Sequence, residues 1–197
     1  MLDKLLQFTK LLNDMRLIER VVRVNGSERW ENDTEHSFHL AMMAWYILDT
    51  HQYGLDREKV LRYALAHDLI EVYSGDTYIF SEDKAFLASK GEREERAAER
   101  LKKELPEMPD MHESIRAYMA HDDRESRFVY ALDKIEPILK MYLDNGRTWR
   151  EKQVTLEMIY EDKKNKVALS PEIQPYFDEL MQLLRDCEAE LFDTEAA

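Results

Sequence analysis

The stretch Ala64–Thr77, ALAHDLIEVYSGDT, gathers polar groups at the end of an otherwise apolar helical pattern. His67 and Asp68 are adjacent, Glu71 follows one helical turn after His67, and Asp76 comes after a Ser-Gly break. Residues four apart share one face of a helix, and a neighbour turned by about 100° can still lean towards the same point. A converging imidazole and carboxylates can hold a divalent cation and act on a hydrolytic water. Such a site needs further ligands from elsewhere in the chain.

Two other stretches can supply those ligands. His36 falls in the first turn of a helix predicted from about 35 to 50, which Asp33 or Thr34 can cap. Asp133 interrupts the apolar pattern FVYALDKIEPILKMYL. Charged residues are rarely buried unless they are paired or bind a metal, so Asp133 is predicted either to pair with a basic side chain or to be a ligand. His36 alone could equally be a surface residue near a helix cap.

The composition favours an all-α fold, since only five glycines and five prolines occur among 197 residues. Apolar spacing predicts helices over 2–12 with a continuation over 15–24, then 35–50, 56–71, 111–120, 124–144, 149–166 and 171–192, and a charged helical segment within 81–105. The predicted buried side of helix 35–50 consists of Phe38, Met42, Trp45 and Leu48. Arg20 lies on a polar face of the 15–24 pattern, where exposure to solvent is the simplest interpretation.

A net charge of −13 disfavours binding to nucleic acid polymers or anionic membranes, because both would repel the chain. No signal-peptide pattern and no apolar run of membrane-spanning length occur, so the protein is predicted to be cytoplasmic. Cys187 is the sole cysteine, which excludes disulfides within the chain and zinc sites built on several cysteines.

The order His36, His67-Asp68 and Asp133 resembles the HD-domain superfamily of metal-dependent phosphohydrolases. The segments NDTEHSFHLAMMA, AHDLIEVYSGD and ALDKIEP are most similar to the branch that contains the bacterial 5'-deoxynucleotidases. The similarity covers roughly 16–141, and the C-terminal helices over 149–192 complete a single predicted domain, 1–197. The resemblance implies an all-α HD-domain helical bundle that forms a homodimer.

The resemblance also implies roles for single residues. His36, His67, Asp68 and Asp133 correspond to the metal ligands of the family. Two imidazoles and two carboxylates suit Mn, Co, Fe, Ni or Zn better than Mg, which prefers oxygen ligands throughout.

The remaining implied roles concern the substrate, a 5'-(deoxy)nucleoside monophosphate that is hydrolysed to nucleoside and phosphate. Glu71 and Asp76 correspond to the acids that act on the attacking water and the leaving sugar oxygen, and Arg20 to the arginine that binds phosphate. Val21 stands where the bacterial enzymes have an aromatic residue next to the sugar, which leaves the choice between deoxyribose and ribose open.

Three alternatives stay open at this point. The substrate could be a nucleoside triphosphate, a cyclic nucleotide or an alarmone, or the chain could be a helical interaction module without turnover. A second metal could use His112 and His121, although the pair His121-Asp122 is predicted to be a solvated turn. His39 is predicted to be a packed or surface residue.

Overall fold

The computed structural model describes residues 1–193, so residues 194–197 of the predicted domain lie outside it. It is helical with one small two-stranded sheet, which confirms the predicted fold class. The helices are α1 (Leu2–Met15), α2 (Asp33–Thr50), α3 (Arg57–Ala66), α4 (Glu71–Ser74), α5 (Lys84–Ala88), α6 (Lys90–Glu104), α7 (Pro109–Ala120), α8 (Arg124–Leu143), α9 (Arg147–Glu151), α10 (Leu156–Val167), α11 (Gln174–Asp186) and α12 (Glu188–Leu191). None of the helices within 1–193 is both long and apolar enough to cross a bilayer.

The predicted helical continuation over 15–24 is wrong. The chain leaves α1 at Met15 and enters strand β1 (Glu19–Arg23), which pairs antiparallel with β2 (Trp30–Asn32). The β-branched Val21 and Val22 favour a strand, and they lie between the two residue pairs that join β1 to β2, Glu19 with Asn32 and Arg23 with Trp30. As a consequence Arg20 does not lie on a solvated helix face, and its side chain is only 12% exposed.

The predicted buried side of α2 is also wrong. Of its four residues, Leu48 is half-buried and the others are exposed: Phe38 by 59%, Met42 by 47% and Trp45 by 44%. His36 is fully buried in the first turn and sets the rotation of the helix. Leu40, Ala44 and Ile47 follow on the same face and enter the core. The buried face of α2 is thus the one that carries His36, and the face with the larger apolar side chains is exposed.

Helix α8 is the central element of the bundle, and it runs through Pro137 without ending. It packs against α2, α3, α7 and α10. The main apolar core includes Leu40, Phe128 and Phe177, whereas a second cluster under α1 and α6 includes Leu11 and Leu101. The chain passes from the first cluster to the second at the end of α3, which is where the His67-Asp68 pair lies.

Three predicted helices are each divided in two. The segment predicted over 56–71 forms α3 and α4 with a turn between them, 149–166 forms α9 and α10, and 171–192 forms α11 and α12.

The end of the chain packs against α9. Phe192 stacks on Trp149 with ring centroids 4.8 Å apart. Gly146 precedes α9 at a positive φ of 69°, and a Cβ at this position would overlap the backbone of Leu191. Gly146 is therefore required both by its left-handed conformation and by this close approach.

Candidate metal centre

A capping box at the start of α2 positions His36. The side chain of Asn32 accepts a hydrogen bond from the Glu35 amide at 3.0 Å, and the Glu35 carboxylate accepts one from the Asn32 amide at 3.1 Å. The cap is thus Asn32, rather than the predicted Asp33 or Thr34. This arrangement fixes the first turn of the helix, and it directs the fully buried imidazole of His36 inwards.

The end of α3 positions His67 and Asp68. The Nδ1 atom of His67 lies 3.0 Å from the carbonyl oxygen of Ala64 and donates to it, so the lone pair of this ring is on Nε2. Nε2 is buried and has no hydrogen-bond partner within 1–193; Asp68 Oδ2 lies 3.0 Å away, outside hydrogen-bond alignment. A buried ring nitrogen with a free lone pair fits the role of a metal ligand.

Ligand atoms of His36, His67 and Asp133 form one cluster, and Asp68 lies beside it. Asp133 Oδ1 lies 3.0 Å from His36 Nε2 and 3.9 Å from His67 Nε2, and the three ligand atoms are within 4.8 Å of one another. Asp68 Oδ2 lies 3.6 Å from His36 Nε2. Two imidazole nitrogens and two carboxylate oxygens at this spacing form a donor set that fits a divalent transition metal.

The charges around these ligands keep the carboxylates ionised. Burial raises the pKa of Asp133, but Lys134 and His36 outweigh it and hold this pKa well below the ordinary value. Burial and Arg20 lower the pKa of His36, whereas Glu136 and Asp133 raise it more, to about 9. Binding of a cation at His36 Nε2 must therefore displace a proton.

Glu136 holds the second nitrogen of His36. Its Oε2 lies 3.3 Å from His36 Nδ1, and both side chains are fully buried. Lys140 links Glu136 to Glu31, which also lies below the surface. A carboxylate on the outer nitrogen orients an imidazole and strengthens it as a ligand. The sequence analysis missed Glu136, although it follows Asp133 at a helical spacing of three within ALDKIEP.

Asp133 is oriented by contacts to its Oδ2 atom, as His36 is oriented by the contact of Glu136 with its Nδ1 atom. Tyr118 donates a hydrogen bond to Asp133 Oδ2 at 3.1 Å, and the Lys134 ammonium lies 2.5 Å from the same oxygen. Oδ1 is thereby left to face the two histidines. Tyr118 acts from α7 across a helix interface, so local sequence does not reveal it, whereas Lys134 directly follows Asp133 on α8.

A second group of carboxylates lies beside the metal ligands. Oxygens of Asp33, Glu71 and Asp76 lie within 4.8 Å of one another. Because α3 ends before Glu71, this residue does not share a helical face with His67, as the sequence predicted, but joins this second group. Burial, followed by the charge of Asp68, raises the pKa of Glu71 well above its ordinary value and that of Asp33 to about 7. The group can therefore hold protons near neutral pH.

Arg20 lies between the two groups. Its Nη1 is 2.9 Å from Asp68 Oδ2, 3.2 Å from Asp33 Oδ1 and 3.8 Å from Asp76 Oδ1. One guanidinium thus offsets the repulsion among three carboxylates, which is a role that the sequence did not reveal. Its Nε is buried without a hydrogen-bond partner within the described chain.

Members of both groups line one cavity of about 540 Å³: His67, Asp68 and Asp133 from the first, and Glu71 and Asp76 from the second. Val21 lies on its wall, and Tyr78, Phe80 and Trp149 add aromatic surface. The cavity combines apolar walls with a few convergent polar groups, which is typical of a small-molecule site.

The other histidines lie outside the centre. His112 Nε2 is 2.7 Å from the Leu105 carbonyl oxygen, and His121 ends α7 in the left-handed region with its ring 4.0 Å from Tyr130. Neither belongs to a cluster of possible metal ligands within 1–193. His121 is half-buried and lines the cavity, so the predicted solvated turn is wrong for this residue and right for the exposed Asp122. His39 is a surface residue, as predicted, with its side chain 53% exposed.

The chain matches the sequence model of the HD domain family over residues 12–174 and therefore belongs to that family. This confirms the superfamily that the motifs predicted. The relatives named 5'-deoxynucleotidase HDDC2 from Bos taurus and Homo sapiens are 29% and 28% identical, over 94% of this chain and 85% of theirs.

Solved structures agree with this assignment. A predicted metal-dependent phosphohydrolase from Magnetospirillum magnetotacticum is 28% identical, with a TM-score of 0.80 over 97% of this chain and 98% of that one. The PH0347 protein from Pyrococcus horikoshii, 22% identical with a TM-score of 0.63 over 94% of this chain and 99% of its own, shares the fold.

Proposed function

We propose that this protein is a metal-dependent phosphomonoesterase that hydrolyses 5'-(deoxy)nucleoside monophosphates to nucleoside and inorganic phosphate. The observation that carries the proposal is the closeness of His36, His67, Asp68 and Asp133 to one another beside a cavity that Glu71, a proton-holding carboxyl group, also lines. Relatives named 5'-deoxynucleotidase align with nearly the whole chain and support the choice of substrate.

The four converging residues would hold the ion. With two nitrogen and two oxygen donors, Mn, Co, Fe, Ni or Zn suits the site better than Mg. When bound, such an ion offsets the charge of the phosphate and provides a nucleophilic water at neutral pH.

The carboxyl group beside the ligands handles the protons. Because burial and neighbouring charges raise the pKa of Glu71, its carboxyl group keeps its proton near neutral pH and can donate it to the leaving 5' oxygen. Asp76, 16% exposed at the edge of the cavity, can accept a proton from the attacking water. Replacement of either by its amide should retain metal and reduce turnover.

Arg20 would bind the non-bridging oxygens of the phosphate. Its guanidinium contacts Asp68 and Asp76, so it lies between a metal ligand and a proton-transferring acid. A planar, permanently charged fork suits the oxygens of a phosphate. Val21 is next in the chain and lines the cavity, so it would contact the sugar.

The test is release of inorganic phosphate by purified protein loaded separately with each candidate metal. The panel contains 5'-deoxy- and ribonucleoside monophosphates, triphosphates and cyclic nucleotides. Phosphate release from monophosphates, abolished by Asp76→Asn and retained by His39→Gln, is the expected result. Release of pyrophosphate or triphosphate from triphosphates alone would replace the proposed substrate, and no hydrolysis with any metal would indicate an interaction module.

We also propose that the chain forms a homodimer through the exposed face of α2. Phe38, Met42, Trp45 and Tyr46 are all at least 44% exposed, and Leu183 lies beside this face across an apolar groove. Contiguous apolar surface of this kind is typical of an interface. A monomer mass by light scattering at micromolar concentrations would contradict this proposal. The single domain over 1–197 and the cytoplasmic location stay predictions.

A further inference from the structure

Lys163 on α10 is a buried lysine whose amine faces the metal-site cavity. Its side chain is 11% exposed and lines that cavity. Within 1–193 its single ion-pair contact is with Asp162 Oδ2, 3.0 Å away. The two groups are not aligned for a hydrogen bond, and Asp162 Oδ2 has no hydrogen-bond partner in the described chain. Asp162 instead accepts an aligned hydrogen bond from Lys166 at 2.6 Å. The ammonium of Lys163 therefore has one poorly aligned carboxylate contact and no further acceptor within the described chain.

A buried ammonium in this state is unfavourable. Removal of an ammonium from water costs several kcal/mol, which is recovered only when acceptors surround it. Lys163 lines the cavity, so a ligand bound there can reach its side chain. An anionic ligand would supply charged acceptors to the ammonium, which form the stronger kind of hydrogen bond.

Lys134 on α8 presents a second cation to the same cavity. Its side chain is 20% exposed and lines the cavity, and its ammonium contacts Asp133 Oδ2 at the metal centre. Burial and the charge of Lys134 together lower the pKa of Lys163 to about 8, which leaves the ammonium as the main form near neutral pH. An anion between the two lysines would offset their mutual repulsion.

We propose that Lys134 and Lys163 form an oxyanion subsite that binds the phosphate group of substrate and product on the Asp133 side of the metal centre. Arg20 contacts the Asp68 side, so the phosphate would be held by cations from both sides. The identity of the anion rests on the proposed function, in which the substrate and one product carry phosphate. The subsite itself rests on the buried Lys163 in the cavity wall, whose one carboxylate contact is poorly aligned.

The direct test is calorimetric titration of inorganic phosphate into the metal-loaded protein at constant ionic strength. Lys163→Met keeps the length of the side chain and removes its charge. The matched control is Lys164→Met, which lies on the same helix, pairs with Glu161 and is 35% exposed. Loss of a charged hydrogen bond predicts roughly 10-fold or greater weakening for Lys163→Met, less than about threefold for Lys164→Met, and near wild-type affinity for Lys163→Arg.

Two results would overturn the subsite: unchanged phosphate affinity in Lys163→Met, or an equal loss in Lys164→Met, which would indicate a general charge effect. Circular dichroism and thermal unfolding establish that each variant is folded.

Turnover separates this inference from the proposed function. If wild-type protein hydrolyses monophosphates, the KM of Lys163→Met should rise by the same factor as the phosphate dissociation constant. Hydrolysis with unchanged KM and phosphate affinity in the variant would remove the subsite and leave the activity. Phosphate binding that depends on Lys163, in a protein that hydrolyses no monophosphate, would remove the activity and leave the subsite.

Discussion

Lys163→Met should stabilise the ligand-free protein, although it removes a polar group from a cavity wall. The pKa of this amine falls from 10.5 to about 8 on folding, because burial and Lys134 disfavour its charged form. At 1.36 kcal/mol per pKa unit, the difference of about 2.5 units corresponds to roughly 3 kcal/mol. Methionine has a similar shape and no charge, so folding of the variant does not carry this penalty.

The sign of the pH dependence follows from proton binding. Between about pH 8 and pH 10.5 the unfolded chain binds the proton of Lys163 more tightly than the folded chain, so the stability of wild type rises with pH in this window. The penalty is fully present below about pH 8 and absent above about pH 10.5. The advantage of Lys163→Met should therefore fall from about 3 kcal/mol near pH 7 to about 1.4 kcal/mol near pH 9.5.

Urea denaturation in phosphate-free buffer at several pH values measures this difference. Lys166→Met serves as the control, because its amine is hydrogen-bonded to Asp162 and 32% exposed. It should change the free energy of unfolding by less than about 1 kcal/mol at every pH. A Lys163→Met protein that is no more stable than wild type near pH 7, or whose advantage does not shrink with rising pH, would show that the amine is not a buried charge.

The metal centre and its neighbours allow three further predictions. His67→Ala should lose stoichiometric metal and the rise in melting temperature that metal gives the wild type, whereas His121→Ala should keep both; plasma emission spectrometry and thermal unfolding measure them, and metal loss in His121→Ala would indicate a second ion. Glu71→Gln should retain metal and lower kcat by on the order of 10²-fold, and near wild-type turnover would exclude its role as an acid. Glu136→Gln should weaken metal binding about 10- to 100-fold in competition with a chelator, because His36 loses its orienting carboxylate. An unchanged affinity would show that packing alone orients the imidazole.

The ligands could be predicted from sequence because their chemistry conflicts with their surroundings. Asp133 stands out as a charge within an apolar helix, and His67-Asp68 as polar residues at the end of an apolar pattern. Local periodicity also placed α8 within one residue of its observed bounds. In these cases the information lies within one segment.

Other features could not be predicted because they depend on contacts between distant segments. Arg20 is a strand residue whose burial depends on pairing with β2 and on carboxylates from three other segments. The face that α2 buries is decided by where His36 must point. Lys163 stands in the run YEDKKNKV, which is typical of a solvated helix, and its burial becomes visible only when α10 is packed against α8.

The packing of the chain's end on α9 has a practical consequence for work with this protein. Trp149 lines the cavity with one part of its surface and stacks on Phe192 with another, so residues 188–192 support the wall from behind. The backbone of Leu191 lies directly against Gly146, next to the start of α9. Deletion of these residues would leave the wall unsupported although it removes no ligand, so loss of activity in a shortened chain would be weak evidence against the metal centre. Affinity tags are better attached before α1, where Leu2 and Leu5 are exposed to solvent.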